Sequence, residues 1–174
     1  MNNKSWVIKA FIFTFFITMI ISGISNTIAE NSNTFVLIMI TLLILFLGII
    51  FDIIGTAVLT ANEASFHAKA ANKIKGAKEG IKLIKNASTI SSFCNDVIGD
   101  ICGIVSGSMG TMIALYLTSK FNLDSTISAL IISSVISSLT VGGKAIGKSF
   151  GVKKSDDIIF LVGKVISKFS FKKK

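Results

Sequence analysis

Four apolar stretches, each long enough to cross about 30 Å of hydrocarbon, constrain this chain more than any other feature. They run from Trp6 to Ala29, Phe35 to Leu59, Ile90 to Leu117 and Thr126 to Phe150. In lipid, backbone polar groups must pair within their own segment, so stretches of this length are predicted to be helices. The fold class that follows is an all-α membrane protein with about four transmembrane helices, multi-pass in the cell membrane. Charge content agrees: 16% of residues are charged, against about 25% in an ordinary soluble domain. The first stretch also has signal-peptide features, since Lys4 precedes it and Thr27-Ile28-Ala29 resembles a cleavage site. Its apolar run is long for that, so a retained helix is expected.

The net charge of +9 raises the question of nucleic acid. All the basic side chains are lysines that flank apolar stretches, and the arginine forks that read phosphates and base edges are missing. No nucleic-acid partner is expected. The lysines instead orient the chain. With the N-terminus inside, Lys4, Lys9, the loop lysines Lys69 to Lys85 and the tail lysines Lys148 to Lys174 are all cytoplasmic. Lys120, Glu30 and Asp124 remain outside. Both termini are therefore expected in the cytoplasm.

The central loop is patterned too. Phe66, Ala70, Ile74, Ala77, Ile81 and Ile84 recur at spacings of three and four, with lysines between. This predicts an amphipathic helix over about 63–85, lying in the headgroup plane and drawn to anionic lipids of the bilayer. The tail repeats the design over about 156–171, with Ser155, Asp156 and Asp157 at a helix start and Ile159, Val162, Ile166 and Phe169 as the stripe.

Small residues describe how spans pack. Gly99, Gly103 and Gly107 lie four apart, as do Gly143, Gly147 and Gly151, spacings that let helix backbones approach in lipid. Cys94 and Cys102 are eight residues apart, about 12 Å along a helix, beyond disulfide reach. His67 sits among alanines and lysines and reads as a surface residue. No nucleophile–base pair and no phosphate loop are found, so an enzyme is not expected.

Four ionisable residues fall inside spans: Asp52, Asp96, Asp100 and Lys144. Each costs at least about 2.5–3.5 kcal/mol at membrane depth, so partners or a function are expected. Counted along the helices, Asp52, Asp96 and Lys144 share a level about 9–11 Å below the cytoplasmic boundary, with Asp100 one turn deeper. One reading is a structural ion pair with a snorkelling lysine. The other is a cation site in which Asp52, Asn95, Asp96 and Asp100 supply oxygen ligands of the kind Mg²⁺ prefers. Mg²⁺ or Na⁺ is the ion such a site would take.

At these residues the chain resembles the transmembrane domain of the CNNM/CorC magnesium-transport family. The segments that carry the likeness are Asp52-Ile53-Ile54-Gly55-Thr56-Ala57, the amphipathic stretch with Lys82-Leu83-Ile84-Lys85-Asn86, Cys94-Asn95-Asp96-Val97-Ile98-Gly99-Asp100, and Gly143-Lys144-Ala145-Ile146-Gly147-Lys148-Ser149. They fall in family order over about 120 residues, although identities are sparse. The resemblance implies a CNNM-like domain over 35–174, with spans about 35–59, 90–117 and 126–150, and an extra N-terminal transmembrane helix in 1–34. It also implies a homodimer and a cation site at the positions of Asp52, Asn95 with Asp96, and Lys144. The departures are informative. Asp52 stands where the family has serine, Lys144 where it has a glutamate, Gly55 where it has another, and no CBS or CorC module follows before Lys174. Two functions stay open: divalent-cation transport, or a non-transporting subunit or scaffold whose site is filled by Lys144.

Overall fold

The computed structural model describes residues 3–30 and 33–170. Asn31 and Ser32 of the first loop and the tail lysines Lys172 to Lys174 lie outside the described residues. Among those described, every regular element is a helix. In chain order they are α1 (Asn3–Glu30), α2 (Thr34–Thr60), α3 (Glu63–Ala71), α4 (Ala77–Lys85) and α5 (Ala87–Ser92), then a π-helical stretch (Phe93–Gly99), α6 (Asp100–Phe121), α7 (Ser125–Lys153) and α8 (Ser155–Ser170). Three helices are long and apolar enough to cross a membrane: Thr34–Thr60, the continuous Ala87–Phe121, and Ser125–Lys153. The α1 helix differs in degree, its apolar portion being Phe11–Ser25.

The chain divides into two compact units, residues 1–49 with 97–143, and 50–96 with 144–174. In the first, α1 packs on α6. Its buried positions repeat at helical spacing: Leu37, Thr41, Leu45 and Gly48 along α2, and Ile101, Val105, Met109 and Ile113 along α6. The Thr41 hydroxyl donates to the Leu37 carbonyl at 2.8 Å, so this buried polar group is satisfied within its own helix. Backbones come close at Gly48, where an added Cβ would stand 2.8 Å from that of Cys102. They also come close at Gly110 and Gly143, which Ile136 and Ile49 cover. Gly103 and Gly107 of the expected packing series meet nothing within 4 Å. Phe11, Phe35, Leu43, Phe46, Leu115 and Ile131 are exposed, as lipid-facing side chains are.

The second unit is built on a small core of Ala57, Val58, Phe66 and Ile159, flanked by Ile81, Ile84, Ile90 and Phe160. Phe66 is fully buried because Gly80 leaves room for its ring. It meets Phe160 edge-on at 6.5 Å, and the Lys69 ammonium lies 5.1 Å and 4.8 Å from the two ring centres. The start of α8 is tied to the α2–α3 junction: the Asn62 amide donates to Asp156 Oδ1 at 2.8 Å, while Asn62 Oδ1 accepts from the Ala64 amide at 3.0 Å.

Two expectations change here. The single helix drawn over 63–85 is two helices, because the chain turns at 72–76 with Lys73 and Gly76 at positive φ (54° and 93°). Ile74 therefore leaves the apolar face and is 42% exposed. On α8 the inward face is Ile159, Gly163 and Ser167, whereas Ile166 and Phe169 are exposed. The reason is close packing on α4. Gly163 sits against the Gly76 carbonyl and 3.2 Å from the Gly80 amide, measured from an added Cβ, and a larger side chain there would separate the helices.

Candidate functional site

The candidate residues Asp52, Asn95, Asp96 and Lys144 all belong to the second unit, and Asp100 to the first. Asp52 lies on the inward face of α2, and at 1% exposure it is the most buried ionisable residue described. Eight residues separate it from Thr60, about 12 Å along the helix. The Lys148 ammonium stands 3.9 Å from Asp52 Oδ2 and is itself about half exposed. That is a long ion pair with one buried and one half-exposed end. The ammonium offsets part of the cost of burying the carboxylate. Lys144, one turn earlier, is half-buried. Lys148, which the sequence reading had placed only among the tail lysines, thus joins the site. Helical side chains project over the turn before their own Cα, so the Lys148 ammonium reaches the level of the Lys144 backbone.

One turn past Asp52, Gly55 faces Asn95. A Cβ at Gly55 would overlap the Asn95 amide oxygen and stand 2.7 Å from its Cγ. Here the absence of a side chain is what admits Asn95. The Asn95 Nδ2 donates to Ser91 Oγ at 3.2 Å, and Ser91 is buried. The Asn95 Oδ1 is buried and accepts no hydrogen bond from the described residues. A buried acceptor left so costs about 1–3 kcal/mol, which calls for an explanation. On the third side Gly151 of α7 lies against the Ile53 carbonyl, an added Cβ standing 2.9 Å away.

Asn95 and Asp96 lie in the π-helical stretch. Such wide turns are rare and are frequently found at functional sites. Phe93, Cys94, Asn95, Asp96, Val97, Ile98 and Gly99 all come from the lower part of the helix-propensity scale, a signal visible in the sequence. Asp96 and Asp100 are exposed on the chain surface. Among the described residues no group of three or more His, Cys, Asp or Glu gathers that could hold a metal ion. The Asn95 amide, with the Ser91 hydroxyl behind it, meets α2 at Gly55, one turn past the Asp52 carboxylate.

Among the described residues, then, the protein is all-helical, with three membrane-length helices and a buried carboxylate, Asp52, near a lysine. Comparison with protein-family models, curated proteins and solved structures finds no match.

Proposed function

We propose that this is a multi-pass membrane protein with a CNNM-like transmembrane domain that carries a divalent cation, Mg²⁺ being the cargo its oxygens suit. Lys148 is the internal counter-ion that holds the site when no metal is bound. One observation carries the reading: Asp52, 1% exposed in a largely apolar helix, is accompanied by an ammonium 3.9 Å away whose side chain is half exposed. A charge retained at such cost defaults to function. Asn95 supports it by holding a buried oxygen without a donor against Gly55, one turn along α2 from Asp52. Carboxylate, amide and hydroxyl oxygens are hard ligands, and a single carboxylate suits Mg²⁺, which keeps several of its waters.

In this proposal α1 is a fourth span and both termini are cytoplasmic, as the lysine distribution argues. The α3, α4 and α8 helices lie along the cytoplasmic surface against anionic lipid. Gly103 and Gly107, open on α6, leave room for a second copy in a homodimer. The Asp52–Lys148 pair also favours a second reading, a non-transporting subunit whose site the lysine keeps closed.

Thermal unfolding of the purified chain titrated with Mg²⁺ tests both. Stabilisation of wild type that disappears in Asp52→Asn supports the carrier. Stabilisation only in Lys148→Gln supports the closed site, and none in either protein removes Asp52 as a ligand.

A further inference from the structure

The turn between α3 and α4 forms a basic concave surface. Lys73, Lys75 and Lys78 line an open cavity of about 320 Å³, closed on the far side by α8 at Ser167, with Glu79 the single carboxylate facing it. Three ammoniums against one carboxylate leave an excess positive charge in a hollow that holds a phosphate group with room to spare.

The walls are fixed. Lys73, Ile74 and Ala77 amides donate to the carbonyls of Ala70, Lys69 and Ile74 at 3.0, 3.1 and 3.2 Å. Gly76, at φ 93°, lies so close to Lys164 that an added Cβ would stand 2.7 Å from its backbone nitrogen. Ser167 is buried, its hydroxyl donating to the Lys164 carbonyl at 2.8 Å. A basic hollow on a preorganised turn binds with less ordering cost than lysines on a mobile loop.

Ile74 decides which phosphate is meant. It lines the same cavity and is 42% exposed, so an apolar surface adjoins the basic one. The turn is one nine-residue helix away from a membrane-length helix, α3 being capped at Asn62, two residues after Thr60. A free phosphate has no use for the apolar wall, whereas a phospholipid offers a diester phosphate to the lysines and acyl carbons to Ile74.

We infer that this cavity is a binding site for the headgroup phosphate of an anionic phospholipid. The inference rests on the reading of the chain as membrane-embedded and adds a defined lipid site to it.

The test uses the full chain in nanodiscs of mixed phosphatidylglycerol and phosphatidylcholine, with lipid retained after detergent washing counted by mass spectrometry. Wild type should retain phosphatidylglycerol in preference to phosphatidylcholine. The triple variant Lys73→Gln/Lys75→Gln/Lys78→Gln should lose that preference at least about tenfold more than the control Lys82→Gln/Lys85→Gln/Lys153→Gln, the loss expected from one charge-assisted hydrogen bond. Equal losses in the two triples would mean diffuse surface electrostatics and overturn the site while leaving the membrane reading intact. Release of the retained lipid by inorganic phosphate, as readily as by added phosphatidylglycerol, would overturn the lipid assignment. A chain that does not enter nanodiscs at all overturns the site and the reading beneath it together.

Discussion

Substituting Gly55 by alanine probes the meeting of α2 with Asn95 directly. The new methyl would overlap the Asn95 amide oxygen and lie 2.7 Å from its Cγ and 3.1 Å from its Nδ2, so the side chain must leave. Leaving breaks the Asn95–Ser91 hydrogen bond, a net loss of about 0.5–1.5 kcal/mol. Crowding a packed interior adds about 1–3 kcal/mol. Replacing a mid-helix glycine returns about 0.5–1 kcal/mol. The balance is a destabilisation of about 0.5–4 kcal/mol, centred on about 2 kcal/mol. Asn95→Ala clears the space; it gives up the same Ser91 hydrogen bond but also removes the buried, undonated oxygen, which costs about 1–3 kcal/mol, so on its own it should be nearly neutral. The double variant should then recover most of the Gly55→Ala loss, a coupling of about 1–3 kcal/mol between the two sites. Reversible unfolding of the purified chain in mixed micelles, followed by circular dichroism, measures all four corners of the cycle. A neutral Gly55→Ala, or costs that add to within about 0.5 kcal/mol, would refute the packing argument.

Other consequences can be checked alongside. Phe66→Ala should cost about 3–5 kcal/mol, since the ring is fully buried in the second unit, and a loss under about 1 kcal/mol by the same unfolding assay would contradict that placement. Gly48→Ala should destabilise through contact with Cys102, whereas Gly103→Ala should be neutral or stabilise by about 0.5–1 kcal/mol; equal effects would deny the α2–α6 approach. Lys148→Gln should raise Mg²⁺ affinity about fivefold in calorimetry, because removing a half-exposed competing charge is worth about 1 kcal/mol. Unchanged affinity would dismiss the lysine as a competitor. Single cysteines at Asn33 and Lys85, in a Cys94→Ser/Cys102→Ser background, should label from opposite faces of a vesicle, and labelling of both from one face would reject the lysine-based topology.

The sequence carried the coarse fold well, because length and apolarity decide membrane-length helices almost unaided. Asp52 and Asn95 were equally legible, a carboxylate and an amide being conspicuous in apolar stretches. What sequence periodicity could not supply was the geometry of close approaches. The stripe through Phe66, Ile74 and Ile84 suggested one helix, yet a left-handed turn at Lys73 and Gly76 breaks it and exposes Ile74. The apolar count on α8 favoured Ile166 and Phe169, yet the inward face is glycine and serine because α4 packs close there. That Lys148 also reaches Asp52 was hidden by side-chain length, since a four-carbon stem places its charge a full turn from its own backbone.

Uptake of Mg²⁺ into proteoliposomes loaded with a fluorescent Mg²⁺ indicator tests the account most directly, comparing wild type, Asp52→Asn and Lys148→Gln at equal incorporation. The account predicts uptake by wild type and Lys148→Gln and only the protein-free leak in Asp52→Asn. Uptake by Asp52→Asn at the wild-type rate, or no uptake above leak in any of the three, would contradict it.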